Sequence, residues 1–192
     1  KELVFLEKID STNEECKRRS LKGAKAGLVV VADTQSAGKG RRGRGWTSDK
    51  GSTISMSYLL KPDFSPDIAP MLTIIMAMAS AEGIGRVTGI EVGIKWPNDI
   101  VINGKKAVGI LTEMTAEPDY IQEVIIGTGI NVSVEKFPDA IKDTATSIYL
   151  ETGKRFSRAL IVGEITTAFE IYYERFLKEG NLNRLTDAYN AL

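Results

Sequence analysis

A chain with no histidine and a single cysteine has few side chains with which to do chemistry, and the most conspicuous ones here are cations. From Gly38 to Trp46 the sequence reads GKGRRGRGW, with Lys39, Arg41, Arg42 and Arg44 set among Gly38, Gly40, Gly43 and Gly45. Glycines leave such a stretch mobile until something orders it, clustered cations attract phosphates and carboxylates, and Trp46 offers a stacking plane. It is not a Walker A loop, because no glycine sits at the required spacing before Gly38-Lys39 and Gly40 follows where Ser or Thr would hold magnesium. Nor is it a Rossmann fingerprint, which needs a strand-turn-helix context and an acidic partner for the ribose. The lack of histidine excludes Ser-His triads, paired-His zinc helices and imidazole acid-base steps. One cysteine, Cys16, excludes an internal disulfide and a Cys-rich zinc site, and suits a reducing cytoplasm. The remaining tools are Lys, Arg, carboxylates, backbone amides and a metal-bound nucleotide.

Two strand-like stretches extend the list. In VGIKW, alternation turns Val92, Ile94 and Trp96 to one face and Gly93 and Lys95 to the other, so Trp96 is expected in the core and Lys95 on a site face. In IIGTGIN, Ile125, Gly127, Gly129 and Asn131 share a face opposite Ile126, Thr128 and Ile130. The two glycines leave a bare strip beside Asn131, either for a ligand or for close packing by another element.

The elements that must position these residues alternate without repeats. ELVFLEKI reads as a strand, and STNEECKRRSLK as a short helix with Ser11 and Glu14 at capping-box spacing. GLVVVADT and TISMSYLL read as strands. The apolar run Ala69–Ala81 reads as a buried helix capped by Ser65 with Pro66 in its first turn, too short for the roughly 20 residues that span a bilayer. A β-rich block follows, with Asn103-Gly104 as a hairpin turn, and the chain is helical from about Ala159. Hairpin-joined strands flanked by helices make an α+β domain, with a mixed, mostly antiparallel sheet covered on one side. The 192 residues, 43% hydrophobic and 26% charged, suffice for one core, and 25 basic residues balance 25 acidic ones, so no global field draws the chain to nucleic acid or a membrane. The charged, alternating start is unlike a signal peptide.

Five segments in order, DSTN at Asp10–Asn13, GKGRRGRGW, KWPND at Lys95–Asp99, KAVGILTE at Lys106–Glu113 and GTGIN at Gly127–Asn131, resemble the biotin protein ligases over nearly the whole chain. The resemblance implies a fold related to class II aminoacyl-tRNA synthetases, with one catalytic domain over 1–192. It sets the family's operator-binding helix-turn-helix and SH3-like barrel outside this sequence. It further implies an ATP-dependent ligase that makes biotinyl-5'-AMP and transfers biotin to a lysine of a biotin carboxyl carrier domain, with ATP, biotin and Mg2+ as cofactors.

By the same resemblance Lys95 and Arg41 are catalytic. Ser11, Thr12, Gln35 and Gly38, with Arg41, Lys95, Gly109 and Ile110, would hold biotin. Lys39, Arg41, Arg42, Arg44 and Trp46 would meet ATP from the loop, and Lys95, Asn98, Gly127, Gly129 and Asn131 from the sheet. Lys39 stands where many members carry arginine, keeping the charge but not the bidentate fork. Mg2+ is expected mainly through ATP phosphates, with no metal ligands assigned. The expected partner is the carrier domain, docking along an open sheet edge that could also pair two copies as a homodimer. No specific DNA and no membrane are expected. The alternatives are a lipoate protein ligase-like acyl-adenylate transferase, whose arginine-glycine and His-Asp signatures are missing, and a nucleic-acid binding module using the basic loop.

Overall fold

In this computed structural model, which describes residues 2–190, the Asn-Gly pair does turn the chain. Asn103 (φ 49°) and Gly104 (φ 78°) join β5 (Asp99–Ile102) to β6 (Lys105–Ala116), the left-handed conformations a two-residue hairpin requires. The other strands are β1 (Glu2–Ile9), β2 (Leu28–Gln35), β3 (Thr53–Leu60), β4 (Gly93–Lys95) and β7 (Ile121–Asn131), and the seven form a sheet in the order β1-β2-β3-β7-β6-β5-β4. β2 pairs antiparallel with β3, and β4 with β5. β1 pairs in parallel with β2, Val4 opposite Val30, because helix α1 (Thr12–Leu21) carries the chain back between them. The outermost strands are β1 and β4.

The chain divides into two compact units, residues 1–70 with 109–130 and residues 71–108 with 131–192. In the first, α1 lies on β2 and β3, and Cys16, Leu28, Val30, Leu59 and Ile125 form a core cluster against which Val4 and Leu6 pack. All eight residues of β3 are buried. The expected one-sided sheet therefore does not hold there: a central strand covered on both faces has no solvent side for TISMSYLL to show.

In the second unit, α2 (Met71–Thr88) packs along α4 (Arg158–Glu179) and reaches β4 and β5. At their crossing a β-carbon on Gly83 would lie 2.6 Å from the Ile165 backbone nitrogen, so glycine is what lets the helices approach. Ser65 and Pro66 do not cap this helix. They open a separate 3-10 turn, Pro66–Ile68, with no side-chain cap bond, and α2 begins at Met71 and runs past Ala81. Turn and helix together, Pro66–Thr88, are long and apolar enough by composition alone to cross a membrane, but 61% of the apolar window is buried within the protein, as in a core helix. α3 (Ile148–Thr152) and α4 are capped by Ser147 and Ser157, which accept from Leu150 N–H and Leu160 N–H. α5 (Thr186–Asn190) follows another 3-10 turn.

Candidate active site

In the first unit the start of α1 carries the DSTN segment. Asp10 Oδ1 accepts the Ser11 N–H at 2.7 Å, and Arg18 forks onto both carboxylate oxygens at 2.7 and 2.8 Å. The Arg18 hydrogen bonds, against a smaller opposing effect of burial, hold the Asp10 carboxyl down at about 2. The capping box between Ser11 and Glu14 does not form, since the buried Ser11 makes no side-chain cap bond. Instead Gln35, from the end of β2, supplies the acceptor: its Oε1 takes the Thr12 N–H at 2.8 Å and lies 3.1 Å from Thr12 Oγ1. A long-range amide has replaced the local cap, satisfying an orphan donor of the first turn.

Two serines of β3 complete this polar row. Gln35 Nε2 donates to Ser55 Oγ at 3.1 Å, while the fully buried Ser57 hydroxyl lies 2.7 Å from Thr12 Oγ1 and 2.5 Å from Asn13 Oδ1. Asn13 Nδ2 donates to Glu113 Oε2 on β6 at 2.7 Å, and Lys17 Nζ reaches Glu113 Oε1 at 2.8 Å. Burial raises the Glu113 carboxyl, but the hydrogen bonds from Lys17 and Asn13 outweigh it and hold it below its ordinary value. Asn13, Ser55, Ser57 and Glu113 were not among the expected site residues. Their signal was present: DSTN includes Asn13, KAVGILTE ends on Glu113, and Ser55 and Ser57 break an otherwise apolar strand at period two.

The glycine strip on β7 is occupied by the protein's own side chains. A β-carbon at Gly127 would fall 2.2 Å from Asn13 Oδ1, and one at Gly129 would fall 2.2 Å from Trp46 Cε2. Trp46 thus lies flat against the strand, and its buried indole N–H has no acceptor. The basic stretch that delivers it is a short hairpin: Lys39 bridges antiparallel to Gly45, Trp46 N–H donates to Gly38 O at 2.9 Å and Gly40 N–H to Arg44 O at 2.7 Å, around a 3-10 turn at Arg41–Gly43. Gly38 is required by this closure, because a β-carbon there would meet Trp46 O at 2.4 Å. Arg41, Arg42 and Arg44 stand exposed on the hairpin, whereas Lys39 Nζ turns back to Glu14 Oε1 at 2.6 Å.

The first unit therefore brings together Thr12 with Gln35, and Gly38 and Trp46 with Gly129. Gly109 and the buried Ile110 lie on β6. In the second unit Lys95 is exposed at the end of β4, opposite Asp99, which pairs with Lys106 Nζ at 2.6 Å. Asn98 lies in the turn between β4 and β5, and buried Asn131 donates to Thr146 O at 3.1 Å. Trp96 is not core. It is 71% exposed because the strand ends at Lys95 and the chain turns through Trp96, Pro97 and Asn98, so alternation no longer governs it. Among the described residues, no group of three or more His, Cys, Asp or Glu is arranged to hold a metal.

The profile of the Biotin/lipoate A/B protein ligase family matches residues 5–131. The chain belongs to that family. It is 44% identical over 180 residues to the bifunctional ligase/repressor BirA of Bacillus spizizenii, covering 93% of this chain and 55% of that one. It is 34% identical over 154 residues to the biotin--[acetyl-CoA-carboxylase] ligase of Paracoccus denitrificans, covering 78% and 63%. The biotin protein ligase of Aquifex aeolicus, solved in complex with biotin and ATP, superposes with a TM-score of 0.82 at 31% identity, over 93% of this chain and 73% of that one. The chain spans about half the length of the curated BirA relative it matches. The family assignment bears out the expected fold: a mixed, mostly antiparallel sheet with helices, as in the solved biotin protein ligase.

Proposed function

We propose that this chain is the catalytic domain of a biotin protein ligase, which activates biotin with ATP as biotinyl-5'-AMP and transfers it to a lysine of a carboxylase's biotin carrier domain. The observation that carries the reading is the basic hairpin seated on a glycine strip beside the Thr12–Gln35–Ser55 row. Its support from relatives is that the Aquifex protein holds biotin and ATP and that the Paracoccus protein is named for a carboxylase acceptor.

The chemistry accounts for the lack of histidine. A carboxylate is ionised at neutral pH, so biotin itself attacks the α-phosphate and expels pyrophosphate without a general base. What the protein must supply is positive charge where anions converge. Arg41 and Lys95 are assigned that task, with Arg42 and Arg44 on the polyphosphate and Mg2+ brought by the nucleotide to neutralise phosphate charge. Gln35 and Thr12, already fixed by Ser55 and Ser57, present a polar end to the ureido ring together with Ser11 and Gly38; Gly109 and Ile110 line the tail. Trp46, lifted from its seat on Gly129, covers the purine over Gly127 and Gly129, with Asn98 and Asn131 completing the nucleotide side while Lys39 stays turned to Glu14.

In the second half-reaction the carrier lysine's neutral amine attacks the acyl carbon and AMP leaves. The carrier docks along an open edge strand, in the cytoplasm where its carboxylase resides, and homodimerisation competes for that edge. The deciding experiment is incubation of the protein with Mg-ATP, radiolabelled biotin and a biotin carrier domain. Label transferred to the carrier's lysine supports the reading, and adenylate formation from lipoate in preference to biotin overturns it.

A further inference from the structure

We propose that Glu14 is a positioning residue that pins the basic hairpin to helix α1 through Lys39 and thereby retards escape of the activated intermediate; this rests on the ligase reading above. Two contacts that hold the hairpin to the rest of its unit bear on this role. One is Trp46 against Gly129 of β7. The other is Lys39 Nζ on Glu14 Oε1, at 2.6 Å.

Glu14 is itself held in place. The same oxygen lies 3.2 Å from Lys17 Nζ, and Lys17 is anchored at 2.8 Å to Glu113, whose other oxygen takes Asn13 Nδ2. Asn13 is wedged against Gly127 and bonded by Ser57. A rail of alternating charge thus runs from the middle of the sheet through α1 to the base of the hairpin. Glu14 also stands in the first turn of α1, where a negative charge is favoured by the helix dipole.

The hairpin transmits the hold. Lys39 is bridged to Gly45, and Trp46 N–H is bonded to Gly38 O, so releasing Lys39 from Glu14 loosens the strand that carries Trp46. The exposed Arg41, Arg42 and Arg44 lie between these two contacts in the chain, so both contacts bear on how the arginines meet a bound anion. Lys39 accordingly acts through Glu14 as a fastener.

The Lys39 side chain is 48% exposed and that of Glu14 30%. An ion pair of that exposure is modest, and its loss changes a local equilibrium by about two- to fivefold. The first test is amide hydrogen exchange over residues 38–46 in the ligand-free protein, for wild type, Glu14→Gln, Lys39→Gln and the double variant. Each single change is expected to speed exchange there about two- to fivefold, and the double variant to match either single, because the two residues act as one contact. Lys39→Arg, which keeps the pair, should exchange as wild type does.

The second test preforms adenylate with Mg-ATP and radiolabelled biotin and follows its release on dilution without carrier. Glu14→Gln should release it about two- to fivefold faster, and Lys39→Arg at the wild-type rate. Wild-type exchange in Glu14→Gln, additive effects in the double variant, or unaltered adenylate release despite faster exchange would each overturn the proposal. A wild-type protein that forms no biotinyl adenylate would instead overturn the ligase reading, which the exchange experiment does not measure.

Discussion

The indole of Trp46 lies against Gly129, so closely that a β-carbon at position 129 would fall 2.2 Å from Cε2 and 2.6 Å from Nε1. Gly129→Ala therefore forces the ring off the strand while leaving the remaining strand contacts in place. In a Trp96→Phe background, which leaves Trp46 as the fluorophore, the Ala variant should emit to the red and be quenched more readily by acrylamide. Unchanged quenching would mean that the ring is not held there.

That contact also marks how far alternation carries. Period two correctly set Gly127 and Gly129 on one face as a bare strip, but it could not say that Asn13 and Trp46, from more than 80 residues earlier, fill it. The Asn103-Gly104 turn was legible because its chemistry is local. Ser11–Glu14 had the spacing of a capping box and failed because Asp10 takes the Ser11 N–H and Lys39, distant in sequence, takes the Glu14 carboxylate. Trp96 was misplaced because a rule for strands was extended one residue past the strand's end. The sheet was expected to be mixed, but which strands pair in parallel was not legible, because hairpin signals announce antiparallel neighbours whereas a crossover through a helix carries no turn signature.

Lys95 is exposed at the end of β4, and its proposed role is at the phosphate during adenylation. Lys95→Ala should lower the rate of biotin-dependent pyrophosphate release by about 10²-fold or more, as removal of one preorganised charge does. Biotin affinity should change much less, because the charge matters most in the transition state. Arg41→Gly should let adenylate leave before transfer, seen as labelling of bystander lysines. Wild-type pyrophosphate release from Lys95→Ala would remove it from the catalytic group.

Acid should weaken the ion pairs that α1 makes through Glu113 and Asp10. Glu113 and Asp10 both have folded-state values below the ordinary carboxylate range, Asp10 at about 2, so each contributes stability that is complete above the unfolded value of about 4 and is lost as pH falls through the folded value. The urea midpoint should decline from about pH 5 toward pH 2. Glu113→Gln should be less stable at neutral pH and decline less steeply. Identical slopes for the two proteins would show that Glu113 is not linked to folding.

Cys16 is fully buried in the cluster between α1 and the sheet, and burial pushes its thiol up to about 12. At pH 8 the folded protein should react with a disulfide reagent at least about 10³-fold more slowly than a free thiol, because the thiolate is the reactive form. In urea the rate should rise with the unfolded fraction. Rapid modification of the native protein would place Cys16 outside the core.

Two helix glycines in the second unit make opposite predictions from the same substitution. Gly83 on α2 faces α4 so closely that a β-carbon would lie 2.6 Å from both the nitrogen and Cγ1 of Ile165 and 2.8 Å from its Cα. Backbone cannot yield as a flexible side chain does, so Gly83→Ala must separate the helices and should cost about 1–3 kcal/mol, the range for overpacking a well-packed interior. Gly163 on α4 is exposed and has nothing within 4 Å of its β-carbon position. There Ala only removes backbone freedom from the unfolded chain, and should stabilise by about 0.4–1 kcal/mol. Urea denaturation of the two variants measures both, with Gly83→Ala moving the midpoint down and Gly163→Ala moving it up. A neutral Gly83→Ala would mean that α2 and α4 do not cross at that residue.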